Sequence, residues 1–199
     1  MKLLLGTRNR GKIRELLALL RDLPVELLTV DDVPFSDVPE TGRTFRENAL
    51  LKARAISRET GLPVLAEDSG LEVEALGGAP GVYSARFAGE GATDEENVRK
   101  LLELLRDIPE GQRGARFVCA AVVRFPDGTE LAAEGELRGR IAFEPRGAHG
   151  FGYDPVFIPE GFSRTLGELG RSVKDEISHR RRALEALKAR MRGYLRRSP

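Results

Sequence analysis

Apolar positions along the chain fall into runs whose spacing separates strands from helices. Lys2 to Leu5 opens on three consecutive leucines and reads as a short buried strand; after a polar, Gly-bounded turn, Ile13, Leu16, Leu17 and Leu20 recur at helical spacing. Val25 to Val30 reads as a second strand, so the chain begins strand, loop, helix, strand, the pattern of a right-handed parallel crossover. Asp31 to Arg43 carries Pro34, Pro39 and Gly42 and reads as a loop. Thr44 with Glu47 three residues on is a capping box and predicts a helix to about Thr60, and Thr93 with Glu96 predicts another to about Arg106. Pro63 to Ala66 reads as a short strand that stops at Glu67-Asp68-Ser69-Gly70, placing those side chains at a sheet's end, where open α/β sheets form ligand crevices. Ala115 to Phe125, the turn Pro126-Asp127-Gly128 and Thr129 to Leu137 read as a long antiparallel hairpin. After a glycine-rich connection, Ser178 is a candidate N-cap for a final helix whose apolar stripe is Leu184, Leu187, Met191 and Leu195. The expected fold class is α/β: a mixed twisted sheet with flanking helices, in two lobes with a central active-site cleft.

At 199 residues this is the length of one domain, spanning 1–199. Apolar residues make up 41% and charged residues 32%, enough to bury a core of about 70% of the unfolded surface, which argues against disorder. Lys plus Arg is 32 against Asp plus Glu at 31, so no general field draws the chain to nucleic acid or an anionic membrane, and any bound anion must be met locally. Cys119 is the one cysteine, the opening turns polar too early for a signal peptide, and no apolar run reaches the roughly 20 residues of a membrane span. A cytoplasmic protein is expected. Lysine is scarce, with Lys2, Lys12, Lys52, Lys100, Lys174 and Lys188 set against arginine for the rest of the 32. A lysine kept in so arginine-rich a chain suits a place where a compact ammonium grips one phosphate oxygen.

Three segments concentrate chemistry. Gly6-Thr-Arg-Asn-Arg-Gly-Lys12 lies between strand and helix, where backbone N–H groups and a helix N-terminus converge with Lys12 on a phosphate position. Ile13 stands where a P-loop needs Ser or Thr, so the match to that pattern is incomplete, and an ordinary strand-to-helix turn is the other reading. Glu67-Asp68, with Glu40 and Glu47 upstream, offers hard oxygen ligands for Mg2+ and a carboxylate able to deprotonate water; a solvated acidic turn is the alternative, and helix capping already accounts for Glu47. In the third segment Phe151 and Tyr153 flank Gly152 beside Asp154, a way to stack a flat base, or else a packed aromatic turn. Lys174, His179 and Arg180 add donors, the last two in the first turn of a helix. Cys119, within FVCAAVV, reads as buried and inert.

Taken in order, GTRNRGK, PETGRTFRENALLKA, AEDSGLEVEALGGAPGVYSARFAG, RGAHGFGYDPVF and KDEISHRRRAL resemble the Ham1/inosine triphosphate pyrophosphatase family over nearly the whole chain. The resemblance implies hydrolysis of non-canonical purine nucleoside triphosphates (ITP, dITP, XTP) to monophosphate and pyrophosphate with Mg2+, by a homodimer. It also implies that Thr7, Asn9 and Lys12 bind the triphosphate, that Lys52 and Ser69 contact phosphate, and that Glu40 and Asp68 serve the metal with Asp68 as base. Phe151, Gly152, Tyr153 and Asp154 match the base-binding motif, and Lys174, His179 and Arg180 match base-reading and phosphate-neutralising positions. Glu67 departs from the pattern, standing where many members carry Asp; His149 has no role to carry over. Two other classes fit parts of the chain: a P-loop-like ATPase or kinase built on GTRNRGK, and a catalytically silent nucleotide-binding module.

Overall fold

The computed structural model describes residues 1–196. Strand β1 (Lys2–Leu5) buries Leu3, Leu4 and Leu5 completely, as a strand covered on both faces must. It pairs in parallel with β2 (Glu26–Leu28) and with β3 (Val64–Val73), the latter in the register Leu4↔Val64. The crossovers run through α1 (Arg10–Leu20) and α2 (Phe45–Thr60). Asn9 caps α1 by accepting from the Lys12 N–H and Thr44 caps α2 by accepting from the Glu47 N–H, while Gly61 at φ 70° closes α2. Helix α3 (Asp94–Leu104) opens on the full Thr93–Glu96 capping box. The predicted hairpin is β4 (Gly114–Arg124) and β5 (Glu130–Ile141), and β6 (Phe157–Pro159) adds antiparallel to β5, giving the order β2-β1-β3-β4-β5-β6. The mixed α/β class is therefore as expected. Two short helices, α4 (Leu166–Leu169) and α5 (Arg171–Ile177), occupy the glycine-rich connection, too brief to show a period in the sequence, before α6 (His179–Leu195).

One expectation is corrected. The strand after Pro63 does not stop at Ala66: β3 runs ten residues, straight through Glu67-Asp68-Ser69-Gly70. Polar residues normally end a buried strand, but here Glu67 and Asp68 are themselves buried and find charged or amide partners, so pairing continues.

The chain divides into two compact units. The first comprises Met1–Asp68, Cys119–Gly135 and, of the described residues, 180–196; the second comprises Ser69–Val118 and Glu136–His179. In the first unit the sheet has apolar packing on both faces. Leu3, Leu5, Leu65, Cys119, Ala121 and Val123 pack with residues of α1 and α6, among them Leu16, Leu184 and Leu187. Leu4, Val64, Ala66 and Val122 pack instead with Ala49, Ala53 and Ile56 of α2. The second unit has its own core, built around Leu71, Leu101, Phe117, Leu137, Tyr153 and Phe157.

Candidate active site

Alternation along β3 decides where the acidic pair points. Leu65 faces α1 and α6 while Val64 and Ala66 face α2, so Glu67 leaves on the first face and Asp68 on the second. The two carboxylates, adjacent in sequence, serve separate clusters in the first unit.

On the α1 and α6 face, Glu67 is fully enclosed. Its Oε1 lies 2.8 Å from Lys12 Nζ, and its Oε2 is 3.3 Å from Arg180 Nη2 and accepts from Cys119 Sγ at 3.2 Å. The buried Arg180 guanidinium also donates to Glu15. Burial alone would raise the Glu67 carboxyl, but Arg180, then Lys12 and Lys52, outweigh it and hold it well below the usual carboxylate range. Burial likewise opposes the charge on Arg180, and Glu67 with Glu15 overcomes it. Cys119 moves the other way: burial and the Glu67 charge push its thiol well up, so it is a neutral donor and chemically inert, in keeping with its apolar sequence context. Local sequence carries no sign that Glu15 and Cys119 join this group, because their partners lie far away in the chain.

On the α2 face, Asp68 Oδ2 accepts from Asn48 Nδ2 at 3.0 Å, and Lys52 Nζ stands 3.9 Å from Asp68 and 3.5 Å from Glu40. Burial raises the Asp68 carboxyl, Lys52 and Lys12 oppose that, and Glu40 adds to it, leaving it at about 6. Asn48, fully buried and not evident as a site residue from sequence, also accepts from the Gly42 N–H at 2.7 Å and so pins the loop that carries Glu40. A Cβ on Gly42 would come 2.7 Å from Asn48 Oδ1, which is why a glycine approaches there. Glu47 is exposed and accepts from the Arg43 N–H, a capping role only. In the loop before α1, Thr7 Oγ1 accepts from the Asn9 N–H at 3.2 Å, and Ile13, an isoleucine with no hydroxyl to offer, is buried.

The second unit holds the aromatic turn. Asp154 is buried, and its Oδ2 accepts from the Phe151 N–H at 3.1 Å and from Lys174 Nζ at 2.7 Å; the same ammonium lies 4.4 Å from the Phe151 ring centroid. Gly150 stands at φ +77°, and a Cβ there would fall 2.0 Å from Asp154 Oδ2, so both conformation and space require glycine. Gly152, at φ +60°, donates to Asp94 Oδ2 at 2.8 Å. Phe151 is half-buried, whereas Tyr153 is buried in the core, its hydroxyl donating to the Ser84 carbonyl at 2.7 Å and its acidity suppressed by burial. His179 is buried against Phe117, rings 4.8 Å apart and nearly parallel. Ser69 is half-buried on β3, and His149 is exposed. Lys174 and His179 belong to the second unit and Arg180 to the first.

Among the described residues, no group of three or more His, Cys, Asp or Glu is arranged to hold a metal ion. Glu40 and Asp68 nonetheless fit Mg2+, which is bound through one or two carboxylates with substrate phosphates and water completing its shell. A buried carboxyl kept above its usual range beside a second carboxylate is a place that gains from added positive charge. Glu67 does not join that set, because its charge is already matched by Lys12 and Arg180.

A family model described as Ham1 family matches residues 3–190. A dITP/XTP pyrophosphatase of Streptomyces avermitilis is 53% identical over 189 residues, covering 94% of each chain. One of the same description from Escherichia coli K12 is 48% identical over 188 residues, covering 94% of this chain and 95% of the relative. The solved structure of a HAM1 protein from Coxiella burnetii superposes with a TM-score of 0.88 at 42% identity, over 97% of this chain and 99% of that one.

Proposed function

The chain belongs to the Ham1 family, and we infer that it hydrolyses the anhydride of non-canonical purine nucleoside triphosphates, ITP, dITP and XTP, to monophosphate and pyrophosphate. The observation that carries the chemistry is Asp68, a buried carboxyl raised to about 6, beside Glu40 and Lys52. A base titrating just below the working pH is mostly ionised and still strong enough to take a proton from water.

The first unit handles phosphate. Asp68 accepts the proton of the attacking water; that oxygen bonds to the α-phosphorus, the bond to the bridging oxygen breaks, and pyrophosphate departs. Lys12 and Lys52 meet the charge that collects on the departing oxygens. Asn9 fixes the turn through its cap and keeps its amide group as a donor, and Thr7 contributes a hydroxyl; Ser69, which belongs to the second unit, is also assigned to phosphate. Arg180, held by Glu15 and Glu67, sets Lys12 through the Glu67 carboxylate that both cations share. Glu40 and Asp68 would hold Mg2+, whose contribution when bound is to offset phosphate charge.

The second unit handles the base. Phe151 offers the stacking face, and Gly152 lets the backbone come close. Asp154 orients Lys174, and Tyr153 anchors the turn from the core. Lys174 and His179 are the donors assigned to the purine's 6-keto oxygen, and adenine's 6-amino group would oppose a donor there. A homodimer and cytoplasmic residence belong to the same reading, and sedimentation at working concentration checks the first.

The test separates the bond that is cut. With ITP and Mg2+, pyrophosphate should appear one for one with monophosphate. Orthophosphate as the product would favour the P-loop-like ATPase or kinase, and no turnover with any triphosphate would favour a binding module.

A further inference from the structure

Asp94 is the first residue of α3, and its carboxylate reaches out of that helix to the aromatic turn, where Oδ2 accepts the Gly152 N–H at 2.8 Å. The first turn of α3 contains three acids, Asp94, Glu95 and Glu96. Complementing the helix dipole would explain an acid at any of them, and Glu96 is spent on the capping box. Of the three, Asp94 is the one that bonds to the turn. Gly152 sits in the left-handed region, and a fixed acceptor selects that conformation from the many open to glycine. Its neighbour's N–H, that of Phe151, is taken by Asp154, so two carboxylates from different elements fix consecutive peptide groups at the ring.

The same helix secures the turn a second way. Asn97, buried one turn along α3, donates to the Ala85 carbonyl at 3.0 Å and accepts from the Ala88 N–H at 2.8 Å. That bonding holds the 3-10 segment Gly81–Arg86, whose Ser84 carbonyl receives the Tyr153 hydroxyl. We propose that Asp94 is a positioning residue for base recognition, fixing the plane of the Phe151 ring through Gly152 without touching the nucleotide. This rests on the assignment of Phe151 to the base, and it extends that assignment to a residue outside the turn.

The experiment compares Asp94→Ala, Asp94→Asn and Glu95→Ala, with Glu95→Ala removing a first-turn acid that is exposed and does not bond to the turn. Asp94→Ala should raise KM for ITP roughly tenfold, the scale of a charge-assisted hydrogen bond, with kcat little changed. Asp94→Asn, which keeps an acceptor oxygen, should recover most of that loss, and Glu95→Ala should leave KM alone while lowering Tm as Asp94→Ala does. Equal KM for Asp94→Ala and wild type, or equal shifts of KM in Asp94→Ala and Glu95→Ala, would overturn the proposal. Amide exchange at Gly152 provides a readout that needs no turnover: faster exchange in Asp94→Ala than in Glu95→Ala supports the tether, and identical exchange refutes it. If wild type itself shows no preference for ITP, the base assignment falls, and the exchange result still decides whether Asp94 sets the turn.

Discussion

Successive side chains of a strand leave on opposite faces, and that geometry divides the work of Glu67 and Asp68. Glu67 is structural charge: Lys12 and the fully buried Arg180 share it, so Glu67→Gln should cost about 3–5 kcal/mol in urea unfolding. Cys119→Ser, which alters only a neutral donor to the same carboxylate, should cost about 1 kcal/mol or less. Asp68 behaves oppositely. Its folded value of about 6 exceeds the ordinary 3.8, so the native state binds this proton more tightly than the unfolded chain does. Stability therefore falls as pH rises from about 4 to about 6, and the penalty is complete above that range. Asp68→Asn, which removes the charge and keeps an acceptor for Asn48, should gain on the order of 1–3 kcal/mol in EDTA at pH 8 and nothing near pH 3.5. It should also lose at least roughly 100-fold in turnover, about 2.7 kcal/mol of barrier. Activity within tenfold of wild type would remove Asp68 as the base.

At the level of elements, the turn before Asp154 leaves no room for a side chain at Gly150. Gly150→Ala must both leave a left-handed conformation and avoid Asp154 Oδ2 at 2.0 Å, so it should displace Asp154 and with it Lys174, raising KM for ITP. Gly161→Ala is the control: φ is +82° with nothing within 4 Å, so only backbone strain of about 1–2 kcal/mol applies, with kinetics unchanged. The elements legible in the sequence are those with local signals. Thr44 and Thr93 cap their helices through bonds spanning three residues, and the leucines of β1 mark its burial without any partner being known. The passage of β3 through Glu67 and Asp68 is hidden, since what makes those acids tolerable in a strand is Lys12, Asn48 and Arg180, the last 113 positions away. Motif residues such as Phe151 and Asp154 are legible as chemistry, but the burial of Tyr153 and the reach of Asp94 depend on packing between segments with no shared period.

For the whole molecule, a net charge of +1 leaves little long-range attraction for a triphosphate, so on the proposed reading capture falls to Lys12 and Lys52, which lie beside Glu67 and beside Glu40 and Asp68, and to the Mg2+ that Glu40 and Asp68 would hold. Chelation should abolish turnover, and added Mg2+ should restore it with the far-ultraviolet circular dichroism unchanged, because the apolar cores of both units form without the carboxylates. Loss of secondary structure on chelation would contradict that division between core and site. Base selection is read most sharply by a competition in which ITP, XTP, ATP and GTP are supplied together with Mg2+ and each monophosphate is followed alongside pyrophosphate. The kcat/KM for ITP and XTP should exceed that for ATP by roughly 100-fold or more, the discrimination available when a site's buried donors are left unpaired by the wrong base. Comparable rates for ATP and ITP would mean that the enzyme reads phosphate alone, contradicting a role for the aromatic turn and its donors in choosing the base.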